Sequence, residues 1–115
     1  MLKTGLLVRF QAQPGKEKEV EKFLLESLEV VEDEANTVAW FAIRLGPDEF
    51  GIFDAFPDAE SRQAHLEGKI AAGLMARMPE LFVGTPKIEK VDVLADKLPG
   101  DQQHRRELPP EAYAP

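Results

Sequence analysis

An α+β fold, with one antiparallel sheet and helices against one of its faces, is what this sequence predicts. Three observations lead there. Residues 4–12 alternate apolar and polar with a period of two, as a half-buried strand does. Between strand-like runs, apolar residues recur at helical spacing, first at Val20, Phe23, Leu24, Leu28 and Val31. Turn-forming residues separate these stretches and leave the order strand, helix, strand, strand, helix, strand.

In the first strand Leu6, Val8 and Phe10 point one way, and Leu7, Arg9 and Gln11 the other. Gln13-Pro14-Gly15 breaks it. The helix that follows carries Lys16, Lys18 and a run of glutamates opposite its apolar stripe, the pattern of a solvated helix face. Asn36 marks a turn. Residues 37–45 (TVAWFAIRL) are rich in the β-branched and aromatic side chains that suit a strand. Gly46-Pro47-Asp48 closes a hairpin into the third strand, residues 49–56, which stops at Pro57. Asp58 is placed to accept hydrogen bonds from the first turn of a second helix, residues 59–77, with Leu66, Ile70, Gly73 and Leu74 on its core side. Pro79 ends or kinks that helix. A short helical turn at residues 80–82, a loop at 83–86 and a last strand at 87–94 complete the body.

This order is the ferredoxin-like βαββαβ plan. If Leu6, Val8 and Phe10 face the helices, the expected neighbours are Ala39, Phe41 and Ile43, then Gly51, Phe53 and Ala55. Arg9, Trp40, Arg44, Asp54 and Phe56 would then share the other face. Charged groups beside large aromatics on an uncovered sheet suit a contact between two sheets, so these five are the expected dimer interface. Residues 1–95 make one domain, since 115 residues are too few for a second core. Residues 96–115 form a Pro-rich tail, read as disordered if taken alone; Leu98, Leu108 and Tyr113 could anchor an arm on the body or a partner subunit.

The charge balance narrows function. With 14 Lys+Arg against 21 Asp+Glu the net charge is −7, and much of the acid lies between Glu17 and Glu34. Such a surface repels phosphate backbones and anionic lipid, so neither nucleic acid nor membrane is an expected partner. The absence of cysteine removes disulfides, zinc–thiolate sites and a thiol nucleophile. The apolar run at the start is too short for a signal peptide, and a cytoplasmic protein is expected.

Few residues remain for chemistry. No glycine-rich phosphate loop follows a strand. His65 is the one histidine outside the tail, where His104 sits beside Arg105 and Arg106. Its sequence neighbours Gln63 and Glu67 point elsewhere on a helix, so no metal set forms around it. Ser61, four residues earlier, shares its face but lacks an orienting acid and reads as part of the helix cap.

The stretch FGIFDAFPDAESRQAHLEGKIAAGL, with its strand ending in an aromatic and its AHL turn, resembles the antibiotic biosynthesis monooxygenase domains. The element order and the Pro-Gly break after the first strand extend the resemblance over residues 3–95. It implies a homodimeric α/β barrel that oxidises a small aromatic, phenolic or quinol compound with dioxygen and needs no cofactor. By the same resemblance His65 would be the catalytic base in a pocket between sheet and helices, walled by Val8, Phe10, Phe41, Phe53, Leu66 and Leu74. Haem-degrading relatives carry asparagine, tryptophan and a ligating histidine where this chain has Val8, His65 and Met75, so haem degradation is not expected. Two other readings are open: a non-catalytic ligand-binding or assembly module of the same fold, and a small isomerase or decarboxylase.

Overall fold

The computed structural model describes residues 2–99. Four strands, β1 (Thr4–Ala12), β2 (Ala39–Arg44), β3 (Glu49–Phe56) and β4 (Phe82–Asp92), form one sheet in the order β2-β3-β1-β4, with every adjacent pair antiparallel. Three helices, α1 (Glu17–Val31), α2 (Ala59–Leu66) and α3 (Lys69–Leu81), connect them. This is the ferredoxin-like arrangement, with one helical crossover divided in two.

Register decides what lies under the helices. Leu6, Val8 and Phe10 pair with Asp54, Ile52 and Phe50, and directly opposed residues of an antiparallel pair share a face. The buried layer against the helices is therefore Leu6, Val8, Phe10, Phe50, Ile52, Asp54 and Phe56, joined by Val20 and Leu24 of α1, Leu74 and Leu81 of α3, and Phe82. Burying a side chain the size of Phe or Leu contributes roughly 1.5–3 kcal/mol, so the face with the larger set goes inward.

This corrects the expected faces of β2 and β3. A slip of one residue turns every side chain of a strand to the other side. Phe41, paired with Phe53, lies on the uncovered face with its ring stacked on Phe53 at 6.5 Å, and it is 51% exposed. Asp54 and Phe56, expected at a sheet-to-sheet contact, are buried beneath the helices at 1% and 0% exposure. Trp40, opposite Asp54, packs against the main core. Arg44 lies over the ring of Phe50 at 5.0 Å and donates to the Pro47 carbonyl. Of the five residues expected to meet a partner, Arg9 alone stands exposed on the open face. The even residues of β3 hid their direction because a buried carboxylate sits among them.

Two further elements differ from expectation. The second helix breaks at Glu67–Gly68, and Gly68 caps α3. Pro79 lies inside the last turn of α3, which runs on to Leu81. The segment expected as a loop at 83–86 belongs to β4, interrupted where its pairing with β1 shifts register between Arg9 and Gln11. Gly84 supplies the left-handed backbone there, with φ of 69°. At the other end, Leu98 packs against a second cluster of Leu2, Ala39 and Ala55. The other tail residues singled out, His104, Arg105, Arg106, Leu108 and Tyr113, lie outside the described residues.

Close strand packing makes Gly5 a sensitive position. A Cβ there would lie 2.7 Å from the Asp54 carbonyl oxygen, a backbone atom that cannot turn aside. Gly5→Ala is expected to destabilise the fold by about 1–3 kcal/mol, as overpacking does. At Gly46, where the nearest atom to an added Cβ is 3.9 Å away, the same change should stay within about 0.5 kcal/mol. Denaturant unfolding of the two variants beside the wild type measures the difference.

Candidate functional site

Pro57 follows the last residue of β3, and the Asp58 Oδ1 then accepts a 2.7 Å hydrogen bond from the Ser61 N–H. The hydrogen bonds from Ser61 hold the Asp58 pKa below its ordinary value, so the cap is firmly ionised at the positive end of α2. Ser61 serves the cap, as its position suggested. One helical turn on, His65 projects from the end of α2 into the body and is 7% exposed.

The His65 ring lies between two carboxylates from separate parts of the chain. Its Nε2 is 2.9 Å from Asp54 Oδ2 on β3, and its Nδ1 is 2.5 Å from Glu34 Oε1 in the turn after α1. Thr37 Oγ1 donates to the same Glu34 oxygen at 2.8 Å, and the Phe56 ring packs beside the imidazole at 5.3 Å. A neutral imidazole has one N–H and could donate to one carboxylate only. An imidazolium has one N–H for each carboxyl group and so matches this geometry.

Burial by itself would lower the His65 pKa. The hydrogen bonds to Asp54 and Glu34, with the charges of both, outweigh that and raise it above 6.5. Asp54 in turn is a deeply buried carboxylate whose charge is met by the ring. Deleting one member of such a buried pair typically costs about 3–5 kcal/mol, because the other is left uncompensated.

A cleft of about 400 Å³ opens beside this group, bordered by Glu34, Ala35, Asn36, Ser61, His65 and Lys69 among others. The Glu34 side chain, a quarter exposed, joins the cleft to the ring. None of Val8, Phe10, Phe41, Phe53, Leu66 and Leu74, the expected pocket walls, lines it. Val8, Phe10 and Leu74 are buried in the core, Leu66 is half-buried on α2, and Phe41 and Phe53 lie across the sheet. Both acidic partners of His65 escaped sequence reasoning. Glu34 belongs to a run of acids that reads as a solvated helix face, and strand alternation with Gly51, Phe53 and Ala55 inward sets Asp54 on the open face.

No family model matches the chain, and no curated protein matches it. Among solved structures, NE2512 of Nitrosomonas europaea, a protein of unknown function, is 50% identical over 88% of this chain and 98% of its own, with a TM-score of 0.85. The chain belongs to the NE2512 family. Its fold is also that of the antibiotic biosynthesis monooxygenase proteins. A "putative antibiotic biosynthesis monooxygenase" of Caulobacter crescentus superposes with a TM-score of 0.70 at 20% identity, covering 81% of this chain and 91% of that one. A second, from Nitrosomonas europaea, gives 0.71 at 13% identity over 80% and 90%. The resemblance drawn from the FGIFDAF–AHL stretch thus holds at the level of fold.

In this member of the NE2512 family the acids and the imidazole do not form a metal site. The carboxylates meet opposite nitrogens of one ring, so they cannot converge on a single ion. Among the described residues no other group of three or more His, Cys, Asp or Glu is placed to hold one. No helix there is long and apolar enough to cross a membrane.

The imidazolium gives stability a pH signature. Because folding raises the His65 pKa above its unfolded value of 6.5, the stabilisation is fully present below that pH. It is lost as pH rises through the folded-state pKa. Unfolding free energy measured at intervals from pH 6 to 9 should therefore fall in the wild type, and this component should be missing in His65→Gln.

Proposed function

We propose that this protein is a monooxygenase that uses dioxygen to oxidise a small phenolic or quinol compound bound in the cleft beside Glu34 and His65. One observation carries the reading: a carboxylate at the cleft is tied through a buried imidazole ring to a second, fully buried carboxylate. The fold shared with proteins named as monooxygenases supports the reaction class.

The proton acceptor we assign is Glu34. The sequence suggested His65, but an imidazolium hydrogen-bonded at both nitrogens has no lone pair to offer. His65 acts as a positioning residue that fixes Glu34, while Asp54 fixes His65. Substrate O–H donates its proton to Glu34, and the resulting phenolate is electron-rich enough to reduce dioxygen itself. For a phenol with a free para C–H, one phenol and one dioxygen give one para-quinone and one water. The O–H and C–H bonds break, one oxygen atom enters the ring as a carbonyl, and the other leaves as water with both hydrogens. Dioxygen takes up four electrons, all from the substrate.

A second reading, a ligand-binding module without turnover, has the same imidazolium in its favour: a ring engaged at both ends is also a static tie between α1, α2 and β3. Oxygen consumption with a panel of quinols and phenols separates the two. On the first reading uptake requires substrate and falls by about 10²-fold or more in Glu34→Gln, the scale of a lost general base. Binding of a phenol without oxygen uptake supports the module. Product formation without oxygen indicates an isomerase or decarboxylase.

The homodimer expected from the sequence finds support in the open face of the sheet, where Phe41, Ile43, Phe53 and Arg9 stand without cover from a helix. Sedimentation analysis should give a dimer for the wild type and a monomer for Phe41→Glu. A dimeric Phe41→Glu would place the contact elsewhere.

A further inference from the structure

Two buried polar atoms, on residues that do not border the cleft, have no partner. Asp54 uses Oδ2 to hold the ring, but its Oδ1 meets no donor. Trp40 Nε1 meets no acceptor. The two residues are directly opposed across β2 and β3, on the helix side of the sheet, so their side chains leave the backbone next to one another. An orphaned buried N–H or carboxylate oxygen is strongly unfavourable, and native interiors satisfy such groups with protein or bound solvent. Here the deficits are complementary: one donor lacks an acceptor, and one acceptor lacks a donor.

From this juxtaposition we infer that Trp40 Nε1 and Asp54 Oδ1 form an internal binding site for a single hydroxyl group. The occupant accepts from the indole N–H and donates to the carboxylate. A cation is refused by the N–H and an anion by the carboxylate, whereas an O–H oxygen does both jobs in the least space. The occupant is a bound water, since neither Trp40 nor Asp54 borders the cleft in which the substrate O–H meets Glu34. The site does not rest on the proposed oxidation. The water extends the hydrogen-bonded chain to Glu34, His65, Asp54, water and Trp40. Proton position at the cleft is then coupled to a polar group in the interior.

The test is a crystal structure of the full chain at a resolution that shows ordered water. An oxygen within about 3.2 Å of both Trp40 Nε1 and Asp54 Oδ1 establishes the site. If no ordered oxygen lies there, the inference falls. A direct Trp40–Asp54 hydrogen bond, or another protein group satisfying either atom, overturns the inference. Since the readout is atomic position rather than oxygen uptake, failure of the oxidation leaves this result standing, and the reverse holds too.

Discussion

A carboxyl group buried to 1% exposure needs a partner that offers it a proton or a positive charge, and here that partner is the ring of His65. Much of the local architecture follows from the pairing. Asp54 must face the helices, which fixes the face of Phe50, Ile52 and Phe56 on the same strand. His65 must reach it from above, so α2 is short and seated by the Asp58 cap over the end of β3. The second ring nitrogen then requires an acceptor, and the turn after α1 delivers Glu34 to it, steadied by Thr37. Three segments far apart in sequence are thereby tied at one point, and a cleft opens where they meet.

Chain order was legible because it rests on local signals. Period-two alternation marked β1, Pro57 and Asp58 marked the passage from β3 to α2, and Gly46-Pro47-Asp48 marked the hairpin. The breaks that depend on tertiary packing were not legible. Gly68 divides a helix whose apolar spacing is continuous, and the helix runs through Pro79 to Leu81. Gly84 and the register shift beside it draw residues 83–86 into the sheet although they read as a loop.

The site was half legible. His65 stands out by scarcity, and the strand-to-helix junction that presents it can be read from Pro57 and Asp58. Its partners cannot, since Asp54 and Glu34 are 11 and 31 residues away, and charge alone suggests solvent for both. A sharper signal was available in β3: Phe50, Ile52 and Phe56 are all large and apolar, while Gly51 and Ala55 are small. Side-chain volume points these large residues inward, and Asp54 with them, as a partner for a buried histidine. The reverse assignment moved Phe41 and Phe53 into an expected pocket, when they belong to the opposite surface.

The account stands on the protonation of one ring. It is tested most directly by the ¹⁵N NMR signals of the His65 imidazole at pH 7, separated from those of His104 by the His65→Gln variant. The account predicts that both His65 ring nitrogens carry protons and show the shifts of an imidazolium hydrogen-bonded at each end. A neutral ring, with one unprotonated nitrogen, would contradict it and return the role of proton acceptor to His65 itself.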